Sequence, residues 1–440
     1  MNRNKAFVIG AGLAGCEAAW QLAERGISVE LYEQKPHKKS PAHKADTFAE
    51  LVCSNSLRAA NVENAVGLLK EEMRRLGSLI MEAADACSVP AGGALAVDRE
   101  GFSRHITQRI RNHPLIRVIE GEVTCLPAQE GGIVATGPLT EGAFFEEIQR
   151  RFAPKQMHFF DAAAPLIEAD SINMSKAFRA SRYGKGTADY LNCPMTEEEY
   201  LRFYEALVTA EVAPLHLQEE RELTVFEGCM PVEVMAKRGP QTLCYGPLKP
   251  VGLTDPHTGK RPFAVVQLRQ DDFAASLYNM VGFQTHLKFP EQKRVFSLIP
   301  GLENARFARY GQMHRNTYLV SPLLLDERYR LKEETCLYFA GQMTGVEGYV
   351  ESAASGLCAG LHLARELRGM EAMTFPVTTA LGALGSYIAH ASAEDFQPMN
   401  INFGMMPPVQ GRYKSKMEKN RVLAERSLSA LAELLPQAVL

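Results

Sequence analysis

Two cysteines of this chain, Cys53 and Cys229, lie among residues that suit a reactive thiol. Cys229 follows Gly228 and precedes Pro231 by two residues, which predicts a tight, exposed turn. Cys53 lies among polar residues close to Arg58, a cation that can favour a thiolate. A thiolate is a potent nucleophile near neutral pH, so either cysteine could form a covalent bond with a substrate. Buried structural thiols are commoner, and the residue types alone leave both interpretations open.

The nine cysteines show no CxxC, CxxH or HExxH spacing, so we expect no metal site and no disulfide framework. Five of them lie in apolar runs, where we expect them to pack as small hydrophobic groups. These five are Cys16, Cys87, Cys125, Cys336 and Cys358. We assign no chemistry to Cys193 and Cys244. The odd count, the lack of a secretory leader and the lack of a long apolar run predict a reduced, cytoplasmic protein with no membrane contact.

A glycine-rich turn follows the first strand pattern, Lys5–Ile9, and opens a helical pattern. A second strand pattern, Ile27–Glu33, ends in an acid. The GxGxxG spacing is carried by Gly10, Gly12 and Gly15. Such a turn lets the backbone approach a pyrophosphate at a helix N-terminus, while the acid accepts the ribose hydroxyls. Together these features predict a Rossmann-like dinucleotide site.

Two further turns of small residues follow strand patterns and favour FAD over NAD. One ends the segment Gly131–Pro138 and contains Thr136 and Gly137. The other starts at Gly341, continues through Gly345 and leads into a helix rich in Ala and Ser. Small residues at a helix start allow close approach to a phosphate or a flavin ring. Because no second GxGxxG follows a strand, we expect NAD(P)H to bind only transiently.

The length of 440 residues indicates more than one domain. We expect a discontinuous Rossmann-like α/β FAD-binding domain formed by residues 1–142 and 326–440. Residues 143–325 are expected to form an inserted domain of mixed α and β structure. In that insert Thr196–Glu211 has the Thr and the Glu of a helix capping box.

The net charge of −3 and the pI near 6.4 lack the signature of a dedicated nucleic-acid binder. Basic residues nevertheless gather, with aromatic residues between them, in Ser175–Thr187 and in residues 285–315. Such a surface can track an RNA backbone, although a glutamylated folate would use the same charges. His286 and His314 could contact phosphate, folate or flavin. A third basic run, residues 411–426, is interpreted as a solvated helix face.

Ten stretches, in order over nearly the whole chain, resemble one family, the folate- and FAD-dependent tRNA uracil-5-methyltransferases (TrmFO). They are Leu51–Arg58, Ser181–Pro194, Phe226–Glu233, Gly246–Leu253, Tyr278–Lys288, Glu291–Phe296, Ile299–Asn304, Met313–Asn316, Phe339–Ala354 and Phe396–Phe403. Gln342 stands where the wider flavoprotein class usually has Asp, as in this family, whereas Phe289 stands where many members have Trp. The segment Thr344–Ala354 also resembles the longer flavoenzyme MnmG.

The resemblance implies a glutathione-reductase-like FAD-binding fold and methylation at C5 of the T-loop uridine (position 54) of tRNA. Methylenetetrahydrofolate would donate the one-carbon unit, NAD(P)H would act as reductant, and reduced FAD would carry the methylene. Cys229 would be the nucleophile that adds to the uridine, and Cys53 the second catalytic cysteine near the flavin. Gln342 and Tyr349 would lie at the flavin, Tyr349 close to the isoalloxazine.

The resemblance also implies that the insert binds the tRNA T-arm and folate, with no obligate protein partner. Two alternatives stay open. The same chemistry could act on a uridine of ribosomal RNA, or the chain could be a flavin-containing tRNA-binding chaperone without turnover. A plain NAD(P)H-dependent flavin oxidoreductase would explain neither the basic stretches nor the two cysteines.

Overall fold

The computed structural model describes residues 4–127, 131–152, 156–184, 187–213, 230–272, 274–334, 336–394 and 396–438. For residues 156–163, 312–316 and 437–438 it describes the backbone alone. In these ranges no helix combines the length and the apolar character needed to cross a membrane.

Strands and helices alternate through the N-terminal part of the chain. The elements are β1 (Lys5–Ile9), α1 (Leu13–Glu24), β2 (Ser28–Glu33), β3 (Ser56–Ala59), α2 (Ala65–Arg75), α3 (Leu79–Ala86), β4 (Ser88–Val89), β5 (Ala94–Val97), α4 (Arg99–Asn112), β6 (Ile116–Glu120), β7 (Gly132–Val134) and α5 (Gly142–Phe152). β1 has the predicted bounds and is buried at every residue after Lys5. A strand covered on both faces reads as a continuous apolar run, as this one does.

The middle part is richer in short strands. Its elements are β8 (Gln156–Ala163), β9 (Leu166–Glu168), β10 (Phe178–Arg179), β11 (Tyr190–Met195), α6 (Glu197–Val208), α7 (Val232–Ala236), α8 (Thr242–Tyr245), β12 (Ala264–Gln270), β13 (Leu277–Met280), α9 (Phe289–Phe296), β14 (Phe307–Arg309) and β15 (Gln312–Leu319). The predicted capping box is confirmed, because the Thr196 hydroxyl accepts from the Glu199 N–H while the Glu199 carboxylate accepts from the Thr196 N–H.

The C-terminal part returns to the first core. Its elements are α10 (Ser321–Leu324), β16 (Leu337–Phe339), α11 (Tyr349–Leu367), α12 (Ala380–His390) and α13 (Lys416–Ala438). Five parallel strands form the first sheet in the order β16-β7-β1-β2-β6. The strand from the C-terminal part thus completes the edge of a sheet that the N-terminal part begins, which is the predicted Rossmann-like α/β arrangement.

Helices α1 and α11 pack against each other closely on one face of this sheet. A Cβ atom on Gly356 would lie 2.1 Å from the Ala14 carbonyl oxygen. The two backbones can approach this far only because the facing residues are small. The contact brings the start of α11 beside the start of α1, and therefore beside the glycine-rich turn.

The middle part forms a second, antiparallel sheet in the order β10-β11-β12-β13-β9-β14. The antiparallel pair β8 and β15 leads into this sheet and back out of it. The second sheet has its own hydrophobic core, built from residues between Ile167 and Ala305. Helix α5 packs in the first core through Phe144 and Ile148. The domain boundaries at 142/143 and 325/326 stay a prediction.

Candidate active site

The turns after β1, β7 and β16 meet at the carboxyl edge of the first sheet and line one open cleft. Eight of the ten residues predicted to contact the cofactor line it. They are Gly10, Gly12, Glu33, Thr136, Gly137, Gly341, Gln342 and Tyr349. With small residues at a helix N-terminus and an acid at a strand end in its lining, the cleft suits a dinucleotide such as FAD.

The three glycines of the first turn have different tasks. A Cβ on Gly15 would lie 1.7 Å from the Gly10 carbonyl oxygen, so Gly15 lets α1 start against the turn without itself lining the cleft. A Cβ on Gly12 would meet no atom within 4 Å. The space in front of Gly12, at the N-terminus of α1, is therefore open to a phosphate group.

Glu33, at the end of β2, is held by the backbone of the turn. Its carboxylate accepts from the Ala11 N–H at 2.7 Å and from the Lys35 N–H at 3.0 Å, and the residue is 7% exposed. Each carboxylate oxygen keeps a second lone pair that can accept from a ribose hydroxyl. The acid is thus placed where the GxGxxG pattern predicts it.

At the β16 turn the predicted residues have unequal roles. The Gly341 N–H donates to the Ser355 hydroxyl at 2.7 Å, and the Gln342 amide donates to Glu347 at 2.6 Å. Gly345 does not line the cleft, and its φ of +84° together with the Phe396 ring 2.5 Å from a Cβ position explains why it is glycine. Gly345 therefore shapes the turn from behind the cleft.

Cys53 lies beside Tyr349, which lines the cleft. Val52 and Tyr349 line the cleft, and the Tyr349 hydroxyl oxygen accepts from the Cys53 N–H at 2.6 Å and from the Ser54 N–H at 3.2 Å. Burial raises the pKa of Tyr349, so it stays a neutral hydroxyl. A side chain at the start of α11 thus holds the loop that carries Cys53, 296 residues away in sequence.

The cation expected beside Cys53 is not Arg58. The Arg58 guanidinium pairs with the buried Glu351 carboxylate of α11 instead. Sequence reasoning missed the arginines that do contact the loop, among them Arg309, which donates to the Val52 carbonyl at 3.0 Å and to the Cys53 carbonyl at 3.1 Å. Nothing in the spacing of the sequence marks Arg309, since its partners lie more than 250 residues away.

Cys229 lies outside the described residues. The segment after it is anchored, because the buried Glu233 carboxylate accepts from the Thr285 hydroxyl at 2.8 Å and from the His286 N–H at 2.7 Å. His286 therefore contacts this segment through its backbone, and the side chain of His314 lies outside the described residues.

Most of the other cysteines pack as predicted. Cys16, Cys87 and Cys358 are buried and Cys336 is half-buried against the first core, but the prediction for Cys125 was wrong because this thiol is exposed. It lies between β6 and β7 in a segment without regular structure, where an apolar run does not imply burial.

Many cations of the two basic stretches contact other parts of the chain. Lys176 pairs with Glu303 at 2.6 Å and Lys288 with Glu211 at 2.6 Å, both on the surface. Arg182 donates to the Lys249 carbonyl at 2.5 Å. Exposed ion pairs contribute little stability, so these lysines can exchange a carboxylate for a phosphate at small cost, whereas Arg182 holds a loop.

Comparison with known proteins places this geometry in context. Residues 5–371 match the family model "GIDA: Glucose inhibited division protein A". A methylenetetrahydrofolate–tRNA-(uracil-5-)-methyltransferase TrmFO from Listeria innocua is 60% identical over 98% of this chain and 98% of its own. The protein of that name from Heliobacterium modesticaldum is also 60% identical, over 98% of both chains. The solved structure of Aquifex aeolicus GidA superposes with a TM-score of 0.71 at 16% identity, covering 99% of this chain and 74% of that one, which supports the fold.

Proposed function

The chain belongs to the family of methylenetetrahydrofolate–tRNA-(uracil-5-)-methyltransferases, and on this premise we propose that it methylates C5 of the T-loop uridine, position 54, of tRNA. Methylenetetrahydrofolate donates the one-carbon unit and NAD(P)H is the reductant. The observation that supports the proposal is the hydrogen bond from the Cys53 N–H to the hydroxyl of Tyr349, a residue that lines the cleft.

The residues of the cleft fit FAD, which when bound supplies the hydride and carries the one-carbon unit. Gly12 and the N-terminus of α1 would hold the pyrophosphate, and Glu33 would hold the adenosine ribose. Tyr349, at the start of α11, would lie beside the isoalloxazine. Because the Cys53 loop is hydrogen-bonded to Tyr349, this loop would then lie close to the flavin.

The uridine needs a nucleophile because its C5 atom is unreactive until a group adds to C6. The Cys229 thiolate adds to C6 and moves the electron pair to C5, which then accepts the one-carbon unit. Loss of the C5 proton to a base lets the carbon–nitrogen bond to the one-carbon carrier break, a hydride from the reductant then converts the methylene to a methyl group, and departure of the thiolate restores the ring. Cys53 is the second catalytic cysteine and acts on the flavin side of the substrate; its thiolate is suited to take up that proton.

The insert offers a surface suited to RNA around the loop that Arg182 holds. Tyr245 is 80% exposed and Tyr183 is 61% exposed, and the exposed Lys249 lies close to both in the fold. The Tyr183 N–H donates to the Gly252 carbonyl at 2.8 Å, which holds Tyr183 at the turn that follows Lys249. Exposed rings beside a cation are the elements of a base-stacking platform.

The proposal is tested with the purified, FAD-loaded protein, unmodified tRNA, labelled methylenetetrahydrofolate and NADH or NADPH. We expect label at uridine 54, and loss of at least 100-fold in rate for Cys53→Ala and for Cys229→Ala. Cys125→Ala, which removes an exposed thiol, is the matched control and should keep full activity.

The alternatives give different results in the same assay. Label in ribosomal RNA but not in tRNA would show that the substrate is ribosomal RNA. Mapping 5-methyluridine in a strain that lacks the gene checks this result. tRNA binding without a single turnover would make the chain a chaperone. Undiminished transfer by Cys229→Ala would remove Cys229 as the nucleophile.

The RNA surface has its own test. Replacing both Tyr183 and Tyr245 by Ala should weaken tRNA binding by roughly tenfold or more, since stacking contributes about 1–3 kcal/mol per base. Leu323→Ala, at another exposed apolar side chain that is 63% exposed, is the control. Equal tRNA affinities for the double tyrosine variant and for Leu323→Ala, measured by fluorescence anisotropy, would show that the RNA binds another face of the protein.

A further inference from the structure

Three arginines converge on the loop Leu51–Asn55 that carries Cys53. Arg99 donates to the Leu51 carbonyl, and Arg309 donates to the carbonyls of Val52 and Cys53. Arg269 donates to the Ser54 hydroxyl at 2.6 Å and to the Asn55 side-chain oxygen at 3.1 Å. Every residue of the loop thus accepts a hydrogen bond from a guanidinium.

The cluster carries more positive charge than its described neighbours neutralise. Its carboxylate is Asp271, 3% exposed and paired with Arg99 at 3.0 Å. Arg269 is 7% exposed, and the buried Nε of Arg309 has no hydrogen-bond partner. The hydroxyl of Tyr349 also faces the cluster, and Tyr190 of β11 lies opposite Arg269 in the strand register. Buried charges of one sign are costly without a counter-charge, so this excess points to an anion at the loop.

Cys53 supplies that anion when it is a thiolate. Burial lowers the pKa of Arg269 and of Arg309, and the charge of Cys53 acts on both in the opposite direction. The interaction is reciprocal, since a cation that is favoured by a thiolate favours the thiolate in return. Arg58, the arginine nearest to Cys53 along this part of the chain, is neutralised by Glu351 and contributes little to this balance.

We propose that Arg269 and Arg309 are positioning residues that hold the Cys53 loop and keep Cys53 a thiolate. The inference deepens the proposed function and rests on the role that it gives Cys53. Arg99 belongs to α4 and the first core, whereas Arg269 and Arg309 belong to strands β12 and β14 of the second sheet. Two of the three guanidiniums at the loop thus come from the second sheet, so this sheet supplies most of the positive charge that favours the thiolate.

The test measures how fast iodoacetamide alkylates Cys53 as a function of pH in the FAD-loaded protein, by mass spectrometry of the Cys53 peptide. The exposed Cys125 serves as a reference thiol in the same sample. For Arg309→Gln and Arg269→Gln we expect the midpoint of the Cys53 profile to rise by about one pH unit or more, and the rate at pH 7 to fall about tenfold. Arg269→Lys should restore part of the shift, because it keeps the charge but not the fork.

Arg306→Gln is the matched control, since Arg306 lies three residues before Arg309 and pairs on the surface with Glu168 at 2.7 Å. Its Cys53 profile should match that of the unmodified protein. A midpoint that stays in place in Arg309→Gln and in Arg269→Gln, in protein that is folded and loaded with FAD, overturns the inference. Faster alkylation at every pH with an unchanged midpoint also overturns it, because it describes a loop that is only loosened.

The outcome is separable from that of the proposed function. A shifted midpoint combined with full methylation by Cys53→Ala would support the positioning role of the arginines and contradict the catalytic role of Cys53. Loss of methylation in Cys53→Ala with no shift in the arginine variants would do the reverse.

Discussion

Two regions at the cleft, the glycine-rich turn and the Cys53 loop, are built by opposite means. At the glycine-rich turn, residues without side chains let backbone groups come into direct contact. A Cβ on Gly15 would lie only 1.7 Å from the Gly10 carbonyl oxygen. At the Cys53 loop long charged side chains reach in from three distant segments. The turn is sensitive to added side-chain volume, whereas the Cys53 loop is sensitive to changed charge. A binding surface and a reactive group thus place different demands on the chain.

The largest effect is expected from added volume at the turn. Gly15→Ala should lower the free energy of unfolding by more than about 3 kcal/mol, because the new methyl group meets backbone that cannot move aside. Thermal unfolding and the FAD content of the purified protein measure this.

Gly12→Ala is its matched control, because a Cβ there meets no atom within 4 Å. This variant should unfold like the unmodified protein and lose FAD affinity alone. If both variants were equally stable, volume would not be what the turn excludes.

A change of charge at the Cys53 loop should have the next largest effect on stability. Asp271→Asn keeps the shape of the side chain but leaves three guanidiniums without a buried carboxylate, and we expect a loss of about 2–3 kcal/mol in denaturant unfolding. Asp170→Asn, at an exposed carboxylate, should cost less than about 0.5 kcal/mol. Similar losses for the two would show that the cluster is not short of negative charge.

A smaller, pH-dependent effect is expected at Lys70, which supports β3 just after the loop. Its ammonium donates to the carbonyls of Leu57 at 2.7 Å and Ala59 at 2.6 Å, and burial lowers the pKa of Lys70 to about 7. Above that pH the unfolded chain binds a proton that the folded chain does not, so stability rises with pH relative to Lys70→Met. The difference should grow by on the order of 2 kcal/mol between pH 7 and 9.

The measurement is the midpoint of denaturant unfolding at several pH values for both proteins. Lys416→Met, at an exposed lysine, should show no such pH-dependent difference. A constant gap between Lys70→Met and the unmodified protein over this range would contradict the prediction.

The smallest effect concerns the Tyr349 hydroxyl, which holds the Cys53 loop to the start of α11. Tyr349→Phe removes the acceptor for the N–H groups of Cys53 and Ser54, at a cost of about 1 kcal/mol. Hydrogen exchange at these two amides should become faster while the amides of β1 keep their protection. Unchanged exchange at Cys53 would mean that the arginines alone hold the loop.

Much of the fold was open to prediction from the sequence. The strand β1, the turn after it and the helix α1 are marked by an apolar run, by glycine spacing and by a helical pattern, which are enough to place them. The Thr196 capping box is local for the same reason. The prediction for Cys125 failed because burial depends on what packs against a segment, which a short apolar run does not reveal.

The sequence by itself determined the glycine-rich turn and the acid at Glu33, which depend on residue type and short spacing, whereas the resemblance alone marks the two cysteines. Only the tertiary structure decided what surrounds Cys53. Arg99, Arg269 and Arg309 are far apart along the chain and meet because the second sheet packs against the first core. Electrostatic stabilisation acts through distance in space, and a linear pattern carries no record of that distance.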